Sequence, residues 1–469
     1  MQTKTKIVAT LGPASSSEKE IKKLILAGVN LFRLNFSHGE VEEHLERIKK
    51  IRKISSQLGK SVAIIQDLSG PKIRLGELEQ GQVQLKTGEI VRLFYGKKSP
   101  SPKRLPVSYP CLSQDLARGD QILLGDGEIE LKVVSVEQNE VICQVVVGGA
   151  VSSHKGVNLP SEKLSVSALT KKDKKDLDVG IKAEVDFIAL SFIRRAQEIL
   201  MVKKLIKRYG REIPIIAKIE TNEALKNLEQ IIKASDAVMV ARGDLGVEVP
   251  IEKIPVVQKK IIQLANTLAR PVITATQMLK SMVESKRPTR AEVTDVANAI
   301  FDGADALMLS EETAIGKYPV ETVKMMKKIA SQAEKHWQKY YQRSFPPAHN
   351  IPEAISYSAF QLAEQMDAKA IITPTRSGYT ARLVSRFRPK AKILALTPKP
   401  STLRALCLVW GVEAECVPYL EKDPKILENA SQLAKAKLNL KKGDIIVITA
   451  GLPIEKPGIT NLVKLEKIS

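Results

Sequence analysis

The stretches IPIIAKIE (residues 213–220) and DAVMVARGD (residues 236–244) decide the fold. Each is a short apolar run, rich in β-branched residues, that ends in charge. Side chains alternate faces along a strand, so Lys218 and Glu220 share one face of an otherwise apolar segment. Two opposite charges on that face need a purpose. Outward from this pair the same unit recurs: an apolar run followed by a stretch of helical periodicity. The further runs are KIVATLG (6–12), VNLFRLNFS (29–37), SVAIIQDLS (61–69), VDFIALSF (185–192), PVITATQM (271–278) and ADALMLSEE (304–312). Strands alternating with helices mean a parallel sheet. Eight such units over roughly 250 residues predict a (β/α)8 TIM barrel, with a doubly wound open sheet as the alternative.

A barrel places its active site at the C-terminal strand ends. Here those ends read Thr10, Arg33/Asn35/Ser37, Asp67, Ser191, Lys218/Glu220, Arg242/Asp244, Thr276/Gln277 and Ser310/Glu312. Scattered strand-end polar residues can be mere loop starts or helix caps. The Lys218–Glu220 pair argues against that, because it sits on the strand itself.

Two segments break the pattern. Between residues 71 and 164, Gly-Asp and Gly-Glu turns separate alternating segments such as QVQLKTGEIVRLF and EIELKVVSVEQNEVICQVVVGG. This predicts an all-β module inserted after the third strand, over the active face, as a lid. The barrel is therefore expected in two parts, residues 1–70 and 165–345. After Trp337 a Pro-containing linker, YYQRSFPPAHNIPEA, precedes a C-terminal open α/β domain at 350–469. In that domain TPTRSGYTARLVSRFRP sets Thr375, Ser377, Gly378 and Thr380 between a strand and a helix. Such a turn offers amides and hydroxyls to a phosphate, and a plain helix cap is the competing reading.

The bulk figures agree with a multidomain globular chain. At 469 residues, two or three domains are expected. Hydrophobic residues make up 43% and aromatic residues only 4%, so aliphatic packing must fill the core. No uncharged apolar run is long enough for a membrane span, and MQTKTKIVATLGPAS lacks a secretory apolar region. Cys111, Cys143, Cys407 and Cys416 show no C-x-x-C spacing, which fits a reducing, cytoplasmic compartment. The formal net charge is +21, from 73 Lys and Arg against 52 Asp and Glu. The cations are scattered as singles and pairs without interleaved aromatics, so no nucleic-acid groove is expected. A lysine-rich solubilising surface that also attracts anionic substrates accounts for the charge.

Glu220 and Asp244 are hard oxygen donors on neighbouring strands, suited to Mg²⁺ or Mn²⁺. Arg33 is a planar fork donor suited to a phosphoryl group. Lys218 is a fixed central cation, and Gly243 opens a turn whose amides suit a carboxylate. Together they describe a metal-assisted site for a small phosphorylated anion. Phosphoryl transfer fits, because it depends on positioning and charge neutralisation.

NFSHG, QDLSGPKIR, HKGVNLP, AKIE, ARGDLGVE, TATQML, KRPTRAEVTDVANAI and LSEETAIGKYP together resemble the pyruvate kinase family, over essentially the whole chain. The resemblance implies transfer of the phosphoryl group of phosphoenolpyruvate to ADP, giving pyruvate and ATP, as the last step of glycolysis. It implies that Arg33 and Lys218 hold the transferring group, and that Glu220 and Asp244 bind Mg²⁺. It assigns the phosphoenolpyruvate carboxylate to the amides of Gly243 and Asp244. Thr276 would stand at the site of enolate protonation, with Ser310 and Glu312 in a proton relay. Arg74 and Lys155 would face the ADP phosphates, with His38 and Thr10 nearby. Glu311 stands where the family more often has a small residue. A homotetramer is implied, together with a phosphorylated effector at the turn Thr375–Thr380, where Arg376 adds a cation.

The resemblance also assigns a K⁺ site to Asn35, Ser37, Asp67 and the carbonyl of Leu68, which replaces the usual Thr. K⁺-dependent members carry Glu at the position of Lys72, so this chain is expected to need Mg²⁺ but not K⁺. A metal-dependent lyase or aldolase on the same barrel is the competing enzyme, but it has no use for Lys155, Arg74 and a nucleotide lid. A basic RNA-binding protein would need exposed stacking aromatics.

Overall fold

The computed structural model describes residues 3–125, 127–160, 165, 167–340, 347–418, 425–452 and 458–469. The predicted ends of the lid at 164 and of the barrel at 345, with much of the YYQRSFPPAHNIPEA linker, lie outside these residues. The eight predicted runs form eight strands: Lys6–Thr10, Leu31–Asn35, Ala63–Asp67, Phe187–Leu190, Ile215–Ile219, Ala237–Ala241, Val272–Ala275 and Ala306–Leu309. Each pairs in parallel with its neighbours, and the first pairs with both the second and the last, so the sheet closes. The open-sheet alternative is thereby excluded.

Alternation along each strand explains the layered core. One set of side chains fills the barrel interior with residues such as Val8, Leu31, Ile65, Ile216, Met239 and Met308. The other set, with Ile7, Phe32, Ile64, Ile188 and Val240, packs outward against the helices. The helices start where capping residues stand. Ser17 accepts the Glu20 amide ahead of Glu18–Ala27, and Thr170–Asp173 and Thr289–Glu292 form capping boxes before Lys171–Lys182 and Arg290–Asp302.

The insertion is the expected all-β module. A six-stranded sheet runs in the spatial order Val157–Asn158, Gln121–Leu124, Ile129–Val136, Glu140–Val147, Ile90–Tyr95, Arg104–Val107, and Gln82–Leu85 pairs separately with Gly149–Ser152. It has its own apolar core, including Val91, Leu93, Leu105, Ile122, Leu131 and Val141. The C-terminal domain is a five-stranded sheet with four parallel strands, Val412–Cys416, Lys392–Thr397, Ala370–Pro374 and Ile445–Ala450. A fifth strand, Leu462–Lys467, runs antiparallel on the edge; the repeating α/β pattern does not announce it.

The C-terminal domain closes the bottom of the barrel. Leu408 packs into the interior cluster. Arg388 is fully buried and bonds Asp305 Oδ1 at 2.9 Å, the Gly303 carbonyl at 2.7 Å and Asn266 Oδ1 at 3.2 Å. Asp186, just ahead of the fourth strand, takes Arg404 from the C-terminal domain and Arg52 from the barrel. With this end sealed and the lid inserted after the third strand, the open mouth is the end that carries the polar residues.

Candidate functional site

Arg33, Asp67 and Lys218 meet at that mouth on the second, third and fifth strands. Register places them there: Asn35 is level with Asp67, and Lys218 with Met239 of the next strand. Arg33 Nε donates to Asp67 Oδ2 at 2.6 Å and its Nη1 to Thr10 Oγ1 at 3.2 Å. Lys218 Nζ donates to Ser191 Oγ at 2.7 Å, and lies 2.9 Å from Glu220 Oε1 and 3.4 Å from Asp67 Oδ1. Neither of those two carboxylate oxygens is in hydrogen-bond geometry with it.

The electrostatics follow from burial. Burial opposes ionisation of Asp67, but Lys218 and Arg33 overcome it and hold the carboxyl below its usual range. Burial alone would strip the proton from Lys218. The Asp67 and Glu220 charges reverse this and hold the ammonium above its ordinary value. Glu220 is pushed up to about 7, first by burial; Lys218 pulls against that and the Asp244 charge adds to it. Its other oxygen accepts the Phe192 amide at 2.7 Å.

Asp244 stands beyond the sixth strand in the helix Arg242–Glu248, half-exposed, with Lys72 Nζ at 4.0 Å. Lys72, itself exposed, therefore points across the cleft between lid and barrel, whose walls include Pro71, Asn158, Phe192, Arg194 and Asp244. Among the described residues no group of three or more His, Cys, Asp and Glu side chains could hold a metal. Two carboxylates just beyond the ends of adjacent strands still fit Mg²⁺, which keeps water and substrate oxygens as its remaining ligands. The buried Glu220 Oε1, ion-paired with Lys218 but without a partner in hydrogen-bond geometry, is the oxygen that a divalent ion would share.

Thr276 lies beside this pair in a left-handed conformation, φ +71°. Its Oγ1 donates to the Ala275 carbonyl at 2.6 Å and accepts the Gly243 amide at 2.9 Å. The amide expected to receive a carboxylate is thus held by Thr276 in this structure. Ser310 follows the eighth strand. Glu312 is buried, with its oxygens accepting the Ser310 and Leu279 amides at 2.7 and 3.2 Å. Both oxygens of the expected relay carboxylate therefore hold backbone amides, and Glu311 pairs with Lys280.

On the lid, Arg74 forms an antiparallel bridge with Gly156, and its Nη1 donates to the His154 carbonyl at 3.0 Å, which brings Arg74 beside exposed Lys155. His38 is exposed; partial burial, then Arg74, Lys72, Arg33 and Lys172, hold its pKa below the ordinary imidazole value. In the NFSHG turn Asn35 Oδ1 accepts the Ser37 amide at 3.2 Å. The Leu68 carbonyl accepts Ser191 Oγ at 2.8 Å.

In the C-terminal turn Thr375 is buried and accepts the Gly378 amide at 3.0 Å, and Thr380 is buried against Thr460 at 2.8 Å. These hydroxyls fold the turn. Ser377, exposed, and Arg376, half-buried, are left nearer the surface.

Two residues that sequence reasoning marked only as strand-end polar groups, without a role, touch the site. Ser191 bonds Lys218. The guanidinium of Arg242 bonds the carbonyls of Thr276 at 2.6 Å and Ala275 at 3.2 Å and so holds the Thr276 turn from behind.

The family models described as "Pyruvate kinase, barrel domain" and "Pyruvate kinase, alpha/beta domain" match residues 2–323 and 353–466. The chain is 45% identical over 475 residues to the pyruvate kinase of Geobacillus stearothermophilus, covering 100% of this chain and 81% of that one. It is 46% identical over 468 residues to that of Thermotoga maritima, covering 99% of each. The crystal structure of a pyruvate kinase from Cryptosporidium parvum superposes with a TM-score of 0.92 at 36% identity, covering 100% of this chain and 97% of that one.

Proposed function

The chain belongs to the pyruvate kinase family and transfers the phosphoryl group of phosphoenolpyruvate to ADP, giving pyruvate and ATP; we propose the following division of labour within its site. The observation that carries it is the Lys218 ammonium buried between Asp67 and Glu220 at the barrel mouth. A fixed, desolvated cation there stabilises charge that grows on the phosphoryl group and the enolate oxygen. Arg33, braced by Asp67 and Thr10, presents the rest of its fork to a phosphoryl oxygen.

The family needs a divalent metal; Glu220 and Asp244 would hold it here as Mg²⁺ or Mn²⁺, where it would neutralise charge on the transferring group. The Gly243 and Asp244 amides receive the substrate carboxylate once Thr276 Oγ1 releases Gly243. Thr276 then holds the proton that the enolate takes, and the role of the Ser310–Glu312 pair is to set the turn behind it. Arg74 and Lys155 on the lid neutralise the ADP phosphates, near His38 and Thr10.

Lys72 replaces the monovalent cation. Asn35, Ser37, Asp67 and the Leu68 carbonyl would hold a K⁺, and an ammonium brought within about 4 Å of it would repel it by roughly 4 kcal/mol at an effective dielectric near 20. That is about three powers of ten in affinity. Three N–H donors of equal charge meet the same need. Regulation belongs to the turn Thr375–Thr380. A sugar phosphate or nucleotide monophosphate bonds Arg376, Ser377 and the loop amides and acts through a homotetramer. All four cysteines are free thiols, as in a reducing cytoplasm. Among the described residues no helix is long and apolar enough to cross a membrane.

The deciding experiment is coupled ADP phosphorylation with Mg²⁺, run in tetramethylammonium chloride and in KCl, with and without sugar phosphates. Near-equal rates in the two salts are expected, and Lys72→Glu should create K⁺ dependence. Many-fold activation of the parent by KCl would refute the Lys72 reading. An effector response that survives Thr375→Ala with Ser377→Ala would refute the loop assignment.

A further inference from the structure

Ser191 ends the fourth barrel strand and is buried at 3% exposure. Its Oγ accepts from Lys218 Nζ at 2.7 Å and donates to the Leu68 carbonyl at 2.8 Å. Leu68 lies at the root of the Ser69–Gly70–Pro71 hinge through which the chain leaves the barrel for the lid. Gly70, at φ +66°, packs directly on Ser191: a Cβ there would meet Ser191 Cβ and its carbonyl oxygen at 3.0 Å. Phe192, at φ +54°, follows and gives its amide to Glu220. One serine therefore touches the central ammonium, the hinge and the neighbour of a metal-ligand candidate.

The ammonium of Lys218 has three N–H donors. Around it stand Ser191 Oγ and the carboxylate oxygens of Glu220 and Asp67. The carboxylates attract the ammonium by charge alone, and the hydroxyl is the neutral acceptor that gives it a directional bond. We infer that Ser191 is a positioning residue for phosphoryl transfer: its hydroxyl fixes the direction of one N–H of the Lys218 ammonium within the ion-paired cluster and ties it to the carbonyl at the root of the lid hinge. The ammonium and the hinge are then set together, so that one lid position corresponds to one working geometry of the cation. This rests on the reading of Lys218 as the charge stabiliser.

The test compares the full-length parent with Ser191→Ala, Ser191→Cys and Lys218→Met, by steady-state kinetics with phosphoenolpyruvate and ADP and by thermal unfolding. Ser191→Ala should lower kcat roughly 10–100-fold, the size of one hydrogen bond to a charged group, with KM for phosphoenolpyruvate within about threefold. Ser191→Cys keeps the volume but offers only a weak sulfur acceptor. It should lose kcat as the Ala variant does while melting close to the parent, and it carries the test if the Ala variant does not fold. Parental kcat in either serine variant overturns the inference. So does a kcat loss that merely tracks falling melting temperature and rising KM, the mark of a structural role. If Lys218→Met is slow while both serine variants match the parent, Ser191 alone is wrongly assigned. If Lys218→Met keeps parental kcat, the reading of Lys218 fails and this inference with it.

Discussion

Replacing Lys218 by Met tests the centre of the site, and the structure gives the size of the effect. The substitution removes a charge 2.9 Å from Glu220 Oε1 and 3.4 Å from Asp67 Oδ1, both buried. At an effective dielectric near 20, each attraction is gross about 5 kcal/mol. The Lys218 desolvation recovered on removal offsets much of this, so deleting one partner of such a buried group costs about 3–5 kcal/mol net. At about 2–4 °C per kcal/mol, melting should fall by roughly 6–20 °C.

Turnover should fall by about 10²–10³-fold or more, because the charge that grows during transfer loses its fixed partner. The KM for phosphoenolpyruvate should change far less, since Arg33 and its bracing are untouched. The stability loss should itself depend on pH. Glu220 already titrates at about 7 because it is buried. Without Lys218 it holds its proton still higher, so at pH 6 it is neutral and the lost cation matters less than at pH 8. Rates measured well below the variant's melting point separate the two effects. A Lys218→Met enzyme with parental kcat and only a raised KM would refute the reasoning.

The raised pKa of Glu220 has a second consequence: Mn²⁺ binding to the metal-free enzyme, followed by electron paramagnetic resonance of the free ion, should weaken roughly tenfold from pH 8 to pH 6 as the proton competes for the carboxylate. A folded pKa of about 7 against an unfolded 4.5 means that Glu220's contribution to metal-free stability is full below 4.5 and is lost as pH rises through 7. Equal affinity at both pH values would contradict this. At the base of the barrel, Arg388→Met leaves Asp305 buried beneath the C-terminal domain without its cation; urea unfolding should show a loss of about 3–5 kcal/mol, and a loss under 1 kcal/mol would show that the junction relaxes. Burial pushes the thiol of Cys143 up to about 12, so iodoacetamide at pH 8 should leave it unmodified in the native enzyme while labelling it in urea; rapid native labelling would place it nearer the surface.

Strand periodicity and the charges at strand ends were sufficient to read the barrel, the inserted β module, the C-terminal α/β domain and the gathering of Arg33, Asp67, Lys218 and Glu220 from the sequence. The physical reason is that a closed parallel sheet buries both faces of its strands, one inside the barrel and one against the helices, and presents every C-terminal end at one mouth. A charge on the inner face near that end can only point into the site. Contacts between side chains from distant segments were not legible. That Ser191 bonds Lys218 and the hinge carbonyl depends on packing of the fourth strand against the third, not on any local pattern. That the buried hydroxyls of Thr375 and Thr380 bond the Gly378 amide and Thr460 was likewise not legible. The same holds for the two backbone amides that Glu312 accepts. The antiparallel edge strand Leu462–Lys467 has a half-exposed face, so its weak hydrophobic signal was lost. Sequence sets which residue types reach the mouth, because periodicity is local; only the tertiary structure decides which of their donors and acceptors find partners, because those partners lie on other strands.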